Sequence, residues 1–110
     1  MKLNEFLSNV AAKLNNGKFT QQIKGDTLVL SFPYESGKVE CINTKEIGIH
    51  PDHEREHCIS VEEIWVGYDA GGYPWSDHMG GILIDCNSMN VNTAITTVVE
   101  KIKRNYKELF

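Results

Sequence analysis

The chain has 110 residues, of which 41% are apolar and 24% charged, and its formal net charge is −4. That is the length of one domain with one core, and the composition of a folded protein, which excludes a disordered chain. No apolar run reaches the ~20 residues that a membrane span needs.

The N-terminal MKLNEFLSNVAAKL is amphipathic and holds no continuous apolar stretch. It does not read as a signal peptide, and the expected location is the cytoplasm. Leu3, Phe6, Leu7, Val10, Ala11 and Leu14 recur at helical spacing, which predicts a first helix over residues 3–14. Asn4 is its expected cap and Asn15-Asn16-Gly17 its stop.

Strands follow. Phe19 to Ile23 is a weak candidate, and Lys24-Gly25-Asp26 is a turn. Leu28, Leu30, Phe32 and Tyr34 alternate with Thr27, Val29, Ser31 and Pro33, the pattern of a half-buried strand. After a turn at Glu35-Ser36-Gly37, Val39 to Ile49 alternates again, with Val39, Cys41, Ile47 and Ile49 on one face. Cys58 to Tyr68 is the next strand. Its alternation slips across Glu62-Glu63, where a bulge is expected. Asp69 to Gly80 reads as a long loop with Tyr73-Pro74-Trp75 at its tip, and Gly81 to Asp85 as the last strand. A helix from about Val91 to Lys107 closes the chain, capped by Asn90 or Asn92. The expected fold is therefore α+β, in the order α-β-β-β-β-β-α. One antiparallel meander sheet of about five strands is flanked by an N-terminal and a C-terminal helix, which cover one face or, as the alternative, opposite faces.

Three cysteines, Cys41, Cys58 and Cys86, are odd in number and far apart in sequence, which argues for core thiols rather than a disulfide framework. The charge is uneven. Residues 35–86 carry eleven acids against Lys38, Lys45 and Arg55, whereas the segments on either side are each basic by +2. An acidic sheet disfavours direct nucleic-acid contact and favours a partner with a basic surface, or a cation.

Two stretches are candidates for chemistry. His53-Glu54-Arg55-Glu56-His57 is an H-E-x-x-H match. On a helix this spacing places two imidazoles on one face to bind zinc, with the Glu activating a water. Here His53 and His57 would be the ligands, His50 and His78 further ones, and Glu54 the catalytic carboxylate of a zinc-dependent hydrolase, or all would serve a structural metal site. The charged Arg55 and Glu56 inside the motif and the strand beginning at Cys58 weigh against it. The second candidate is the 69–80 loop, because exposed Tyr and Trp dominate many protein interfaces, the equal alternative being that Trp75 folds back onto the sheet and tops the core. The leading expectation is a small non-enzymatic binding protein without a cofactor. It would contact a protein partner through Tyr73, Trp75, Asp69 and Asp77 of the loop and Glu56, Glu62 and Glu63 of the acidic sheet. At the level of fold and composition alone it is analogous to inhibitor and immunity proteins from phages and mobile elements, such as anti-CRISPR proteins and antitoxins. A homodimer through the last strand or a helix face is a further expectation.

Overall fold

The computed structural model describes residues 1–33 and 42–110. Helix α1 (Leu3–Leu14) is followed by strands β1 (Thr20–Lys24), β2 (Thr27–Pro33), β3 (Ile42–Pro51), β4 (Cys58–Tyr68) and β5 (Pro74–Asp85), and by helix α2 (Val91–Asn105). The five strands lie in sequence order in one sheet, each pair antiparallel. This is the α+β meander that the hydrophobic pattern predicts. The expected turn at Glu35-Ser36-Gly37 and the face positions of Tyr34, Val39 and Cys41 lie outside the described residues. No helix among the described residues is long and apolar enough to cross a membrane.

The core sits between the helices and one face of the sheet. Leu7, Val10, Ala11 and Leu14 of α1 and Ile95, Val98, Val99 and Ile102 of α2 join Leu28, Leu30, Phe32, Ile47, Ile49, Val61 and Ile84 in one buried cluster. The register explains why these strand residues meet. Leu28 pairs with Ile49, Ile49 with Val61 and Val61 with Ile82, so one apolar row crosses the sheet on the helix side. Side chains of alternate residues point to opposite faces, so the residues between them form a second face that neither helix of the described residues covers.

The helix ends differ. Asn90 caps α2 by accepting a 2.8 Å hydrogen bond from the Thr93 amide. The expected cap of α1 does not form: Asn4 lies inside the helix, and Lys2 stands at the N-cap with no side-chain hydrogen bond. The stop of α1 is as expected, with Asn15 at the C-cap.

Two connections depart from expectation. The last strand begins at Pro74, not Gly81, so the loop shrinks to residues 69–73. Residues 74–80 hide their strand character because most are exposed, which removes the apolar alternation. Pro74 opens the strand, where its missing N–H costs no ladder bond. Between β3 and β4 no helix forms. His50 and Pro51 belong to β3, Pro51 pairs with Ile59, and the Asp52 amide donates to the Cys58 carbonyl at 2.9 Å. This pairing leaves too short a span for a two-turn helix. The Asp52 carboxylate instead accepts from the Glu54 and Arg55 amides, and His57 takes a φ of 62°.

The slip expected at Glu62-Glu63 is a bulge between Glu63 and Ile64, with Met79 of β5 as the additional residue. Gly80 beside it has φ 122°, and a Cβ added at Gly81 would stand 2.5 Å from the Val61 carbonyl oxygen. We therefore expect Gly81→Ala to destabilise the protein by about 1–3 kcal/mol, because β4 and β5 must part. A Cβ at Gly48 meets nothing closer than Thr27 Cγ2 at 3.7 Å, so Gly48→Ala should stay within about 0.5 kcal/mol of wild type. Denaturant unfolding of the two variants tests this.

Candidate functional site

Strands β4 and β5 and their connection form an arm. Helix α2 is closed at its C-cap by Tyr106, whose phenol pKa is pushed up by burial first and then by the charges of Glu63 and Glu108, which puts Glu63 near the end of the helical layer. Residues 64–78 continue past that point. The turn at their end is built by Asp69. Its Oδ1 accepts from the Gly71 and Tyr73 amides, both at 2.9 Å, while its own amide donates to the Tyr73 carbonyl at 2.9 Å. The Asp69 carboxylate is thus spent on shaping the turn. That turn presents Tyr73, which is 72% exposed.

Behind the turn the register sorts the side chains. Trp75 stands opposite Gly67 and Asp77 opposite Trp65, both on the helix side, whereas Tyr68 and Pro74, and Val66 and Ser76, face the open side. Trp75 is half-buried, and the Lys45 ammonium lies 5.0 Å over the Trp65 ring. Tyr68 and Tyr73 at the end of the arm are exposed, as are Met79 at the bulge and Leu83 opposite Ser60. No Lys or Arg occurs between Arg55 and Lys101. Residues 56–100 therefore offer aromatic and apolar area with carboxylates and no Lys or Arg of their own, and Lys45 of β3 lies against Trp65.

The open face carries a second arrangement that sequence reading missed. Glu62 lies between Gly48 of β3 and Gly81 of β5, so no side chain flanks it directly. Two imidazoles reach its carboxylate diagonally: His50 Nε2 is 3.8 Å from one oxygen and His78 Nε2 is 3.6 Å from the other. His50 Nδ1 lies 2.7 Å from the Pro51 carbonyl. A carbonyl can only accept, so Nδ1 carries the proton. The His50 ring lies 5.2 Å from that of His53, whose Nε2 is 2.9 Å from Asp26 Oδ2. Two carboxylates and three imidazoles thus follow one another from the β1–β2 turn to β5, in the order Asp26, His53, His50, Glu62 and His78. Only the pairing register brings them together, and period-two spacing alone does not reveal it.

The remaining predicted residues lie elsewhere. Glu63 falls on the helix side, opposite in direction to Glu62. Glu56 sits at the far end of β4 from Tyr73, roughly 35 Å away at the rise of an extended strand. It borders a cavity of about 740 Å³ with Leu3, Phe6, Ile59, Cys58 and Cys86. Burial pushes the Cys86 thiol up, so it stays protonated and a poor nucleophile. The H-E-x-x-H residues do not share a helical face: His53 turns to Asp26, His57 borders the cavity, and Glu54 lies in the turn between them. Among the described residues no three His, Cys, Asp or Glu side chains converge to hold a metal ion. Ser76 and His78 share the open face, yet no hydrogen bond joins them among the described residues.

Comparison with family models, curated proteins and solved structures finds no match to the chain.

The Asp26–His53 pair carries a pH signature. The hydrogen bond to His53, then that from Thr27, holds the Asp26 carboxyl below its ordinary range, and the same bond to Asp26 holds the His53 imidazolium above its own. Nearby Asp52 and Glu62 add to the His53 shift. A raised histidine stabilises the fold below its unfolded pKa, and that contribution fades as pH rises through the folded one. A lowered aspartate stabilises above its unfolded pKa and fades as pH falls through the folded one. His53 is exposed and Asp26 about half-exposed, so solvent screens the pair and the effect is small. His53→Ala should therefore lower the melting temperature slightly at about pH 5.5 and leave it unchanged at about pH 9. Thermal melts at the two pH values check the sign.

Proposed function

We propose that the chain is a small non-enzymatic protein-binding domain that docks its β4–β5 arm on a basic surface of a protein partner. It would act by occupying that surface, as inhibitor and immunity proteins do. The observation that carries this reading is the composition of the arm. Tyr68 and Tyr73 are exposed at the end of the arm, Met79 and Leu83 are exposed further along β5, and Asp77 and Glu62 lie on opposite faces of the same two strands, in a stretch that lacks any Lys or Arg.

Apolar area supplies affinity, and a few aromatic anchors provide most of it. Carboxylates steer the approach of a basic partner and repel phosphate backbones. The turn supports the same role, because Asp69 holds Tyr73 in place before any partner arrives and so reduces the ordering cost of binding. Trp75 and Asp77 share the helix side of the arm and Tyr68 the open side, so the end of the arm can be gripped from both faces.

The test is affinity capture from cells that express the protein, followed by measured affinities for the captured partner. Tyr73→Ala and Trp75→Ala should each weaken binding about tenfold or more, equivalent to about 1.4 kcal/mol. Glu100→Lys on the exposed side of α2 should leave it unchanged, and added salt should weaken wild-type binding. Affinity within twofold of wild type for both aromatic variants overturns the arm as the binding surface.

A further inference from the structure

The Asn16-Gly17 pair lies in the exposed connection between α1 and β1 and takes no part in the arm. Three hydrogen bonds organise it. Asn15 Oδ1 accepts from the Gly17 amide at 3.1 Å, Asn16 Oδ1 accepts from the Lys18 amide at 2.9 Å, and Asn16 Nδ2 donates to the Leu109 carbonyl at 3.1 Å. The last of these ties the end of α1 to the segment after α2, across 93 residues of sequence. That segment ends in Phe110, whose ring packs edge-on against Phe19 and Phe32 at centroid distances of 5.9 and 5.5 Å. Asn16 therefore helps to seat the aromatic cluster that closes one end of the core.

An asparagine followed by glycine is open to intramolecular attack, because no side chain on the next residue hinders it. Around Gly17 there is free space: a Cβ placed there would meet nothing within 4 Å. We infer that Asn16 is a deamidation site whose conversion releases the C-terminal segment. The Gly17 amide nitrogen, after losing its proton to hydroxide, attacks the Asn16 side-chain carbonyl carbon. A C–N bond forms, ammonia leaves, and a cyclic succinimide remains. Water then opens the ring to aspartate or isoaspartate. Aspartate puts a carboxylate oxygen where the amide donor faced the Leu109 carbonyl, and in isoaspartate the former side-chain carbonyl carbon becomes part of the main chain, so both products lose the Nδ2 donor. In aspartate two acceptors then oppose each other, and in either product the hydrogen bond to Leu109 is lost.

The fold also restrains the reaction. The Gly17 N–H is held by Asn15 Oδ1, and the Asn16 carboxamide is fixed at both its oxygen and its nitrogen. Asn15→Ala frees the attacking nitrogen and should raise the rate several-fold over wild type. Asn87-Ser88 is an internal comparison, because the serine side chain hinders the same attack.

The experiment incubates the untagged chain under mildly alkaline conditions and follows each asparagine by peptide mass spectrometry, with isoaspartate detection. In parallel, amide hydrogen exchange at Leu109 and Phe110 is compared between wild type and Asn16→Asp. The expected result is a one-dalton gain at Asn16 before Asn87, faster in Asn15→Ala. Exchange at Leu109 and Phe110 should be at least tenfold faster in Asn16→Asp, whereas Asn9→Asp on α1 should leave it unchanged. Failure of Asn16 to gain mass ahead of Asn87 overturns the site. Wild-type exchange at Leu109 and Phe110 in Asn16→Asp overturns the release.

Discussion

Strand β4 turns Ile59, Val61 and Glu63 toward the helices and Ser60, Glu62 and Ile64 toward the open face, and this alternation governs the rest of the molecule. A slip of one residue would bury Glu62 where Val61 now closes the apolar row, and would expose Val61 in its place. The row from Leu28 through Ile49 and Val61 to Ile82 allows no such slip. Two adjacent glutamates are thereby sent to opposite sides. One approaches the end of α2, and the other meets two histidines on the uncovered face.

The bulge at Met79 lets β4 and β5 stay paired while both extend beyond the helices. In a register unbroken past Glu63, Ile64 would stand opposite Met79 and Tyr68 opposite Trp75, so Trp75 would turn to the open side while Trp65 kept the helix side. Gly80 and Gly81 make the bulge possible by different means. One supplies a backbone angle that other residues resist, and the other permits β5 to approach the Val61 carbonyl. The core and the arm are thus coupled through a few residues near the middle of two long strands.

How much of this was legible in the sequence depended on whether a segment is buried on one side. The stripe of Leu7, Val10 and Leu14 and the alternation of Leu28, Leu30 and Phe32 each record a single covered face, and both elements lie where the pattern predicts. Residues 74–80 leave no such record, because backbone pairing to β4 holds them and burial does not. The H-E-x-x-H spacing suits a helix, but β3–β4 pairing encloses it so tightly that a turn formed around Asp52 prevails. For the candidate site, the aromatic tip was legible from residue type alone. The partners of Glu62 were not, since His50 and His78 become its neighbours only through the register of three strands.

The carboxylates of β5 admit a plainer role. An edge strand has unpaired backbone groups along one side, and charges, proline and bulges are common means of preventing it from pairing with another chain. Asp77, Asp85, Pro74 and the Met79 bulge all fit that purpose. Protection alone does not account for the aromatic residues. An edge that only needs to remain solitary gains nothing from exposed Tyr68 and Tyr73, which increase the apolar area another chain could cover. Nor does it need an aspartate whose carboxylate is consumed in fixing the turn that carries Tyr73. Charges that deter a second copy of an acidic arm are the same charges that attract a basic surface. The two roles therefore coexist, and the aromatic residues at the end of the arm are what distinguish a binding surface from a guarded edge.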